Sequence, residues 1–169
     1  MTARRDSNLG LIFLCFFLSG YAALLYQTAW TREFAFIFGT SDLAVAAVLA
    51  AYMGGLALGA SVAARFASSI RRPVLVYGLL ELGIALCAFA VPYGLRAVST
   101  LTVMFLGVGE TASDPGWLAG GLRLSIAFAL LLPPTALMGA TLPLLARQVV
   151  HTDDQVGPRI GALYSINTA

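Results

Sequence analysis

The chain has 169 residues, of which 59% are hydrophobic and only 11% are charged. A soluble domain of this size could not bury so much apolar surface, since ordinary soluble domains carry roughly a quarter charged residues. The formal net charge of +2 is too small to indicate nucleic acid as a partner. The composition therefore predicts an integral membrane protein whose surroundings are the lipid bilayer.

Four apolar segments are long enough to cross that bilayer as helices. A hydrocarbon layer about 30 Å thick needs roughly twenty helical residues at 1.5 Å each. The spans lie at about 9–30, 42–64, 73–95 and 122–149, and a fifth begins at about residue 160. Residues 1–169 are thus predicted to form one all-α polytopic transmembrane domain, with four complete spans plus the start of a fifth.

A short apolar segment lies between the third and fourth predicted spans. Between Val98 and Gly121 the segment "LTVMFLG" is too short to span the membrane and is expected at the membrane interface, with Trp117 as an anchor.

The distribution of arginines predicts a cytoplasmic N-terminus, because seven arginines then lie on the cytoplasmic side and three on the outside. The inside set is Arg4, Arg5, Arg65, Arg71, Arg72, Arg147 and Arg159, and the outside set is Arg32, Arg96 and Arg123.

The second span carries a ridge of small residues at every fourth position. Its members are Ala47, Ala51, Gly55, Gly59 and Ala63. Residues four apart share one face of a helix, and membrane helices associate by close backbone contact at small residues. The ridge predicts a packing face for another transmembrane helix, in this chain or in another. The competing interpretation is that alanine and glycine are simply common in membrane helices.

Two polar side chains lie well inside the apolar spans. Glu81 follows Pro73 by eight residues, and acids at such depth are functional candidates by default because they are unfavourable in lipid. Glu81 is predicted either to hydrogen-bond to a neighbouring helix or to bind a proton or cation. Gln27, on one four-residue ridge with Ser19 and Ala23, is expected to face a partner helix.

The fourth span is interrupted by two adjacent prolines in "LLPPTALMGATLP". Pro133 and Pro134 each remove a backbone donor, which predicts a helix break at membrane depth. Discontinuous helices often line substrate sites in transporters. The alternative is a plain kink that the hydroxyls of Thr135 and Thr141 stabilise.

The sequence contains no motif with the residue types and spacing of a catalytic, cofactor or metal site. Cys15 and Cys87 fall in different spans, and His151 is the single histidine, so neither a disulfide framework nor a zinc pattern is indicated. "GVGETA" at 107–112 formally matches a dinucleotide fingerprint but precedes a turn-forming segment rather than a helix. No catalytic residue, cofactor or metal is expected in this chain.

Five segments occur in a specific order along the chain. They are "SGYAALLYQTAWTREF" at 19–34, "AYMGGLALGA" at 51–60, "RRPVLVYGLLELGIAL" at 71–86, "PPTALMGATLPLLAR" at 133–147 and "GALYSINTA" at 161–169. Together they resemble the membrane region of bacterial spermidine synthase-like membrane proteins, also described as fused transporter-like/spermidine synthases. The resemblance covers nearly the whole chain and implies a multi-pass protein of the bacterial cytoplasmic (inner) membrane.

In that family, the membrane region usually precedes a cytosolic Rossmann-like aminopropyltransferase domain that uses decarboxylated S-adenosylmethionine and a diamine. This sequence stops at Ala169, and no position matches the family's glycine-rich cofactor loop or acidic catalytic residues. The resemblance therefore implies a noncatalytic N-terminal membrane module whose catalytic domain is absent from this chain.

Two other functions remain open from the residues. The first is a small-solute or polyamine transporter-like domain, with Glu81 and the Pro133-Pro134 break at its site. The second is a structural subunit of a membrane protein complex, which would contact its partner through the face that carries Gly55 and Gly59.

Overall fold

The computed structural model describes residues 2–38, 42–106, 116–150 and 156–168. Nearly all of these residues are helical, and no strand occurs among them. The helices are α1 (Thr2–Phe38), α2 (Asp42–Phe66), α3 (Pro73–Leu106), α4 (Gly116–Val149) and α5 (Val156–Thr168), with a 3₁₀ turn at Ala67–Ser69 between α2 and α3. The prediction of an all-α fold is confirmed.

Four of the described helices are long and apolar enough to cross a membrane. These stretches are Gly10–Ala35, Val48–Ser69, Pro73–Leu101 and Phe128–Val149. Large apolar side chains remain exposed along them, including Phe89 at 71% and Leu86 at 64%. Such extensive apolar exposure is unfavourable in water and suits contact with lipid. The bundle is therefore polytopic, as the composition predicts.

The helices extend beyond the predicted spans. The segment "LTVMFL" at 101–106 forms the last turns of α3 and is not a separate interfacial element. α4 begins at Gly116 and α5 at Val156, several residues earlier than predicted. Apolar composition indicates where the hydrocarbon lies, whereas backbone hydrogen bonds continue until a breaker ends the helix. Trp117 lies in the first turn of α4, but its side chain is outside the described part of the chain, as are "GVGETA" and His151.

The core has two clusters of buried side chains along α4. The first cluster joins α1, α2, α3 and α4 around Trp30, Tyr52, Ile84 and Leu131. The second joins the beginnings of α1 and α3 to the end of α4 and to α5, and its buried members are Phe16, Tyr77, Leu144, Leu145, Val149 and Leu163. α4 therefore lies at the centre of the bundle, with α2 and α3 packed against it.

One end of the bundle gathers arginines from α2, from α4 and from the turn that precedes α3. The Arg147 Nη1 atom at the end of α4 donates a hydrogen bond to the Ile70 carbonyl, at 3.1 Å, in the turn between α2 and α3. Arg65, Arg71 and Arg72 flank the same turn. This arginine-rich end corresponds to the side predicted to be cytoplasmic.

The orientation can be tested with a reporter enzyme that is active only outside the cytoplasm. Fusions at the N-terminus and at Ser68 should be silent, and a fusion near Asp114 should be active, because basic segments are retained inside. Fusion levels measured by immunoblot control for expression. The reverse activity pattern would contradict the assigned orientation.

Candidate functional site

The ridge of α2 lies directly against the backbone of α4. A Cβ atom added to Gly55 would overlap the Thr135 hydroxyl, and one added to Gly59 would overlap the Ala136 carbonyl. On the opposite helix, a Cβ added to Gly139 would overlap the Leu56 carbonyl. The two backbones approach so closely that only glycine fits at these three positions, which is the arrangement that small residues permit in membranes.

The other ridge positions differ in their surroundings. Ala51 is buried in the central cluster, and Ala63 is half-buried near the arginine-rich end, where it lines a groove. The side chain of Ala47 lies outside the described residues. The close contact between α2 and α4 is therefore centred on Gly55 and Gly59.

The predicted break at Pro133 and Pro134 is not present as an interruption, because α4 is helical across both prolines. Prolines at these positions leave the carbonyls of Ala129 and Leu130 without their amide partners. The buried threonines bond elsewhere: Thr135 Oγ1 donates to the Leu131 carbonyl at 2.7 Å. The α2 backbone packs against α4 just beyond the prolines, in a region where α4 remains helical.

Thr141 uses its hydroxyl in the same way as Thr135. Its Oγ1 atom donates to the Met138 carbonyl of α4 at 2.7 Å, and both threonine side chains are buried. A hydroxyl that donates to a carbonyl of its own helix already has a hydrogen-bond acceptor and needs no ligand to provide one. Thr135 and Thr141 thus act as internal packing residues in this structure.

Glu81 forms a polar contact between α3 and α1. The Ser19 hydroxyl donates to Glu81 Oε1 at 2.6 Å. Eight residues of helix place Glu81 roughly 12 Å beyond Pro73, and nine place Ser19 roughly 14 Å beyond Gly10, so the two helices enter from the same end. Glu81 itself is half-buried. The carboxyl therefore has a partner within the bundle, and the residue as a whole is only partly buried.

Tyr77 lies one turn before Glu81 on α3 and was not predicted as a site residue. Its side chain is only 8% exposed, and its hydroxyl lies next to both Glu81 and Ser19. The geometry nevertheless completes no hydrogen bond between this hydroxyl and any described residue. The spacing of four residues from Glu81 was the available signal, since such residues share a helix face.

Tyr52 provides a contrast, because its hydroxyl bridges two helices. It donates to the Ala23 carbonyl of α1 at 3.3 Å and lies 3.7 Å from Met138 Sδ of α4. Ala23 belongs to the same ridge of α1 as Ser19, so both residues face neighbouring helices. Gln27, the next ridge position, is half-buried, and its backbone carbonyl accepts a hydrogen bond from Thr31 Oγ1 at 2.7 Å.

The two tyrosines make a matched pair of predictions. Tyr77→Phe should leave the free energy of unfolding unchanged or raise it by about 1 kcal/mol, because it removes a buried hydroxyl that has no partner among the described residues. Tyr52→Phe should lower it by about 1 kcal/mol, since it removes a bonded hydroxyl. Reversible unfolding in detergent with denaturant measures both. A loss at Tyr77 as large as that at Tyr52 would show that the Tyr77 hydroxyl has a partner, such as a water.

The predicted polar residues do not form a single site. Glu81 contacts α1, whereas Thr135 contacts α2, and no hydrogen bond between described residues joins the two. Within the described ranges, no three His, Cys, Asp or Glu side chains come together as a metal site. The structure thus separates a polar contact at Ser19, Tyr77 and Glu81 from an α2–α4 packing contact.

A further contact was not predicted and joins α1 to α5. A Cβ atom added to Gly20 would overlap the Asn167 carbonyl, so α5 approaches α1 beside Ser19.

Comparison of the chain with protein-family models, with curated proteins and with solved structures found no match.

Proposed function

We propose that this chain is the noncatalytic N-terminal membrane module of a spermidine synthase-like integral membrane protein. The observation that supports the proposal is that the segments carrying the resemblance contact one another. Segment 51–60 packs against segment 133–147 at Gly55 and Gly59. Segment 19–34 meets segment 71–86 through Ser19 and Glu81, and it meets segment 161–169 where Gly20 approaches Asn167.

The chemistry of these contacts supports a packing role for the shared segments. The glycines allow backbones to approach, and the bonded hydroxyls of Ser19 and Thr135 satisfy polar groups inside the bundle. Each of these hydroxyls takes part in a structural contact, Ser19 with the Glu81 carboxyl of α3 and Thr135 with a carbonyl of its own helix. Segments whose residues hold helices together fit a module that anchors and positions another domain.

In the proposed parent, the module lies in the bacterial inner membrane with a cytoplasmic N-terminus. The aminopropyl transfer would take place in a cytosolic domain that follows the fifth helix. Decarboxylated S-adenosylmethionine and a diamine would bind there, and this chain would contribute neither a cofactor site nor a catalytic residue. Its partners would be lipid and other transmembrane helices.

The test of this proposal is the sequence of the gene beyond the codon for Ala169. We expect an open frame that completes the fifth helix and then encodes a strand–glycine-rich loop–helix unit followed by acidic residues. Membranes that contain the extended protein should transfer an aminopropyl group to a diamine, whereas membranes with residues 1–169 alone should not. A following sequence without such a domain would contradict the proposal.

A transporter-like function is the second candidate, and one observation favours it. The Tyr77 hydroxyl is buried beside the half-buried Glu81 and has no hydrogen-bond partner among the described residues, so this polar contact has unused bonding capacity. The structural-subunit hypothesis has less support, because the face of Gly55 and Gly59 is covered by α4 of the same chain. Uptake measurements on Glu81 variants separate transport from the module.

A further inference from the structure

An apolar groove of about 350 Å³ lies between α2, α3 and α4. Its walls are built by Leu58, Val62 and Phe66 of α2, Val76 and Leu80 of α3, and Leu144 of α4. Gly59 and Ala63 also line it, and their small side chains leave the space that larger residues would fill. The groove has the size of a small ligand site, for which about 300–1,000 Å³ is typical, and its lining is entirely apolar.

The groove is confined to the arginine-rich half of the bundle. At the end of the groove nearer the middle of the bundle, Gly59 contacts Ala136, where α2 packs closely against α4. At the end nearer the arginines, the lining residues Phe66 and Ile70 flank the 3₁₀ turn between α2 and α3. The groove therefore extends through part of one leaflet, which is the geometry of an acyl chain rather than of a complete transmembrane helix.

Three arginines are next in sequence to the residues that line this end of the groove. Arg65 precedes the lining residue Phe66, and Arg71 and Arg72 follow the lining residue Ile70. All three are exposed, and no ion pair or side-chain hydrogen bond joins them to another described residue. Arg147 instead donates to the Ile70 carbonyl, which holds the turn against α4. Positive charge that has no partner among the described residues is thus concentrated where a lipid headgroup would lie.

We propose that this groove binds one anionic phospholipid. One acyl chain would lie along Leu58, Val62 and Leu80, and the phosphate would accept hydrogen bonds from Arg65, Arg71 and Arg72. Basic clusters next to the ends of transmembrane helices attract anionic lipids, and basic pockets between helices bind their headgroups. Charge at the mouth selects for an anionic lipid, and the apolar interior requires an acyl chain. The lipid would fill the space between α2 and α3, which meet mainly through α4.

The experiment measures retained lipid by native mass spectrometry of the purified chain in mild detergent. Phosphatidylglycerol and phosphatidylcholine with identical acyl chains are added in turn. We expect one phosphatidylglycerol to remain bound and phosphatidylcholine to be retained less. Each of Arg65→Gln, Arg71→Gln and Arg72→Gln should weaken retention by about fivefold, the factor that corresponds to roughly 1 kcal/mol per basic residue near an anionic surface.

Matched variants separate the site from general effects. Arg96 is an exposed arginine in the second half of α3, away from the turn that contains Ile70. Arg96→Gln should therefore not alter retention. Ala63→Leu fills the groove and should abolish retention, whereas Ala85→Leu places the same side chain on an exposed position of α3 and should not. Circular dichroism and gel filtration verify that each variant is folded, and the arginine variants remain informative if Ala63→Leu is not.

Three outcomes would overturn the lipid site. Equal retention of both lipids, or equal loss in Arg71→Gln and Arg96→Gln, would show that the arginines do not recognise a headgroup. A lipid-free dimer whose subunits separate in Ala63→Leu would show that a second copy of the chain covers the groove instead.

Discussion

Isoleucine at both Gly55 and Gly59 is expected to lower the free energy of unfolding by about 3 kcal/mol, the upper end of what overpacking usually costs. At Gly59 the obstacle is the Ala136 carbonyl, which belongs to the backbone of α4. A flexible side chain could rotate away from an added Cβ atom, but a helix backbone can yield only by moving the whole helix. The separation of α2 from α4 would then increase along their contact, and buried side chains such as Thr135 and Met138 would lose neighbours.

Gly10 and Gly78 provide the control for this double substitution. A Cβ atom added at either position meets nothing within 4 Å, and both glycines lie inside helices, in α1 and α3. Isoleucine at both control positions should be neutral or slightly stabilising, because isoleucine has a higher helix propensity than glycine. Thermal unfolding in detergent, followed by circular dichroism, compares the two proteins. Equal stability of the two double variants would contradict the close contact between α2 and α4.

The sequence predicts the class of fold well because composition and length are sufficient for it. Four runs of apolar residues require four helices in a bilayer, and the structure has four helices of that kind among its described residues. The same runs do not predict where helices end. α3 continues to Leu106 because nothing between Leu95 and Leu106 interrupts its backbone hydrogen bonds, although the predicted span stops at Leu95.

Contacts between distant segments are the part that sequence reasoning could not predict. The spacing of Gly55 and Gly59 defines a face but not the helix that covers it, which in the structure is α4. Similarly, Glu81 at membrane depth requires a polar neighbour, but Ser19 lies 62 residues earlier in the chain. At Pro133 and Pro134 the local chemistry predicts a break or a kink, and the structure has one helix, α4, that continues across both prolines.

Glu81→Leu is expected to lower the free energy of unfolding by about 1–3 kcal/mol, because it leaves the Ser19 hydroxyl without its acceptor. Glu81→Gln keeps a carbonyl oxygen that can accept the same hydrogen bond, so this variant should fold and unfold like the parent. Ser19→Ala removes the donor instead. In the double variant Ser19→Ala/Glu81→Leu, the loss should be smaller than the sum of the two single losses, since the same contact is removed by each.

The same variants decide between a membrane module and a transporter. A carboxyl that only joins α3 to α1 can be replaced by glutamine, but a carboxyl that carries a proton cannot, because glutamine does not titrate. We therefore expect no proton-linked uptake of a polyamine or other solute into liposomes that contain this chain, with or without Glu81→Gln. Ser19→Ala serves as the control, since it breaks the contact and retains the titratable group. Saturable uptake that persists in Ser19→Ala and disappears in a folded Glu81→Gln protein would replace the module with a transporter whose site is Glu81.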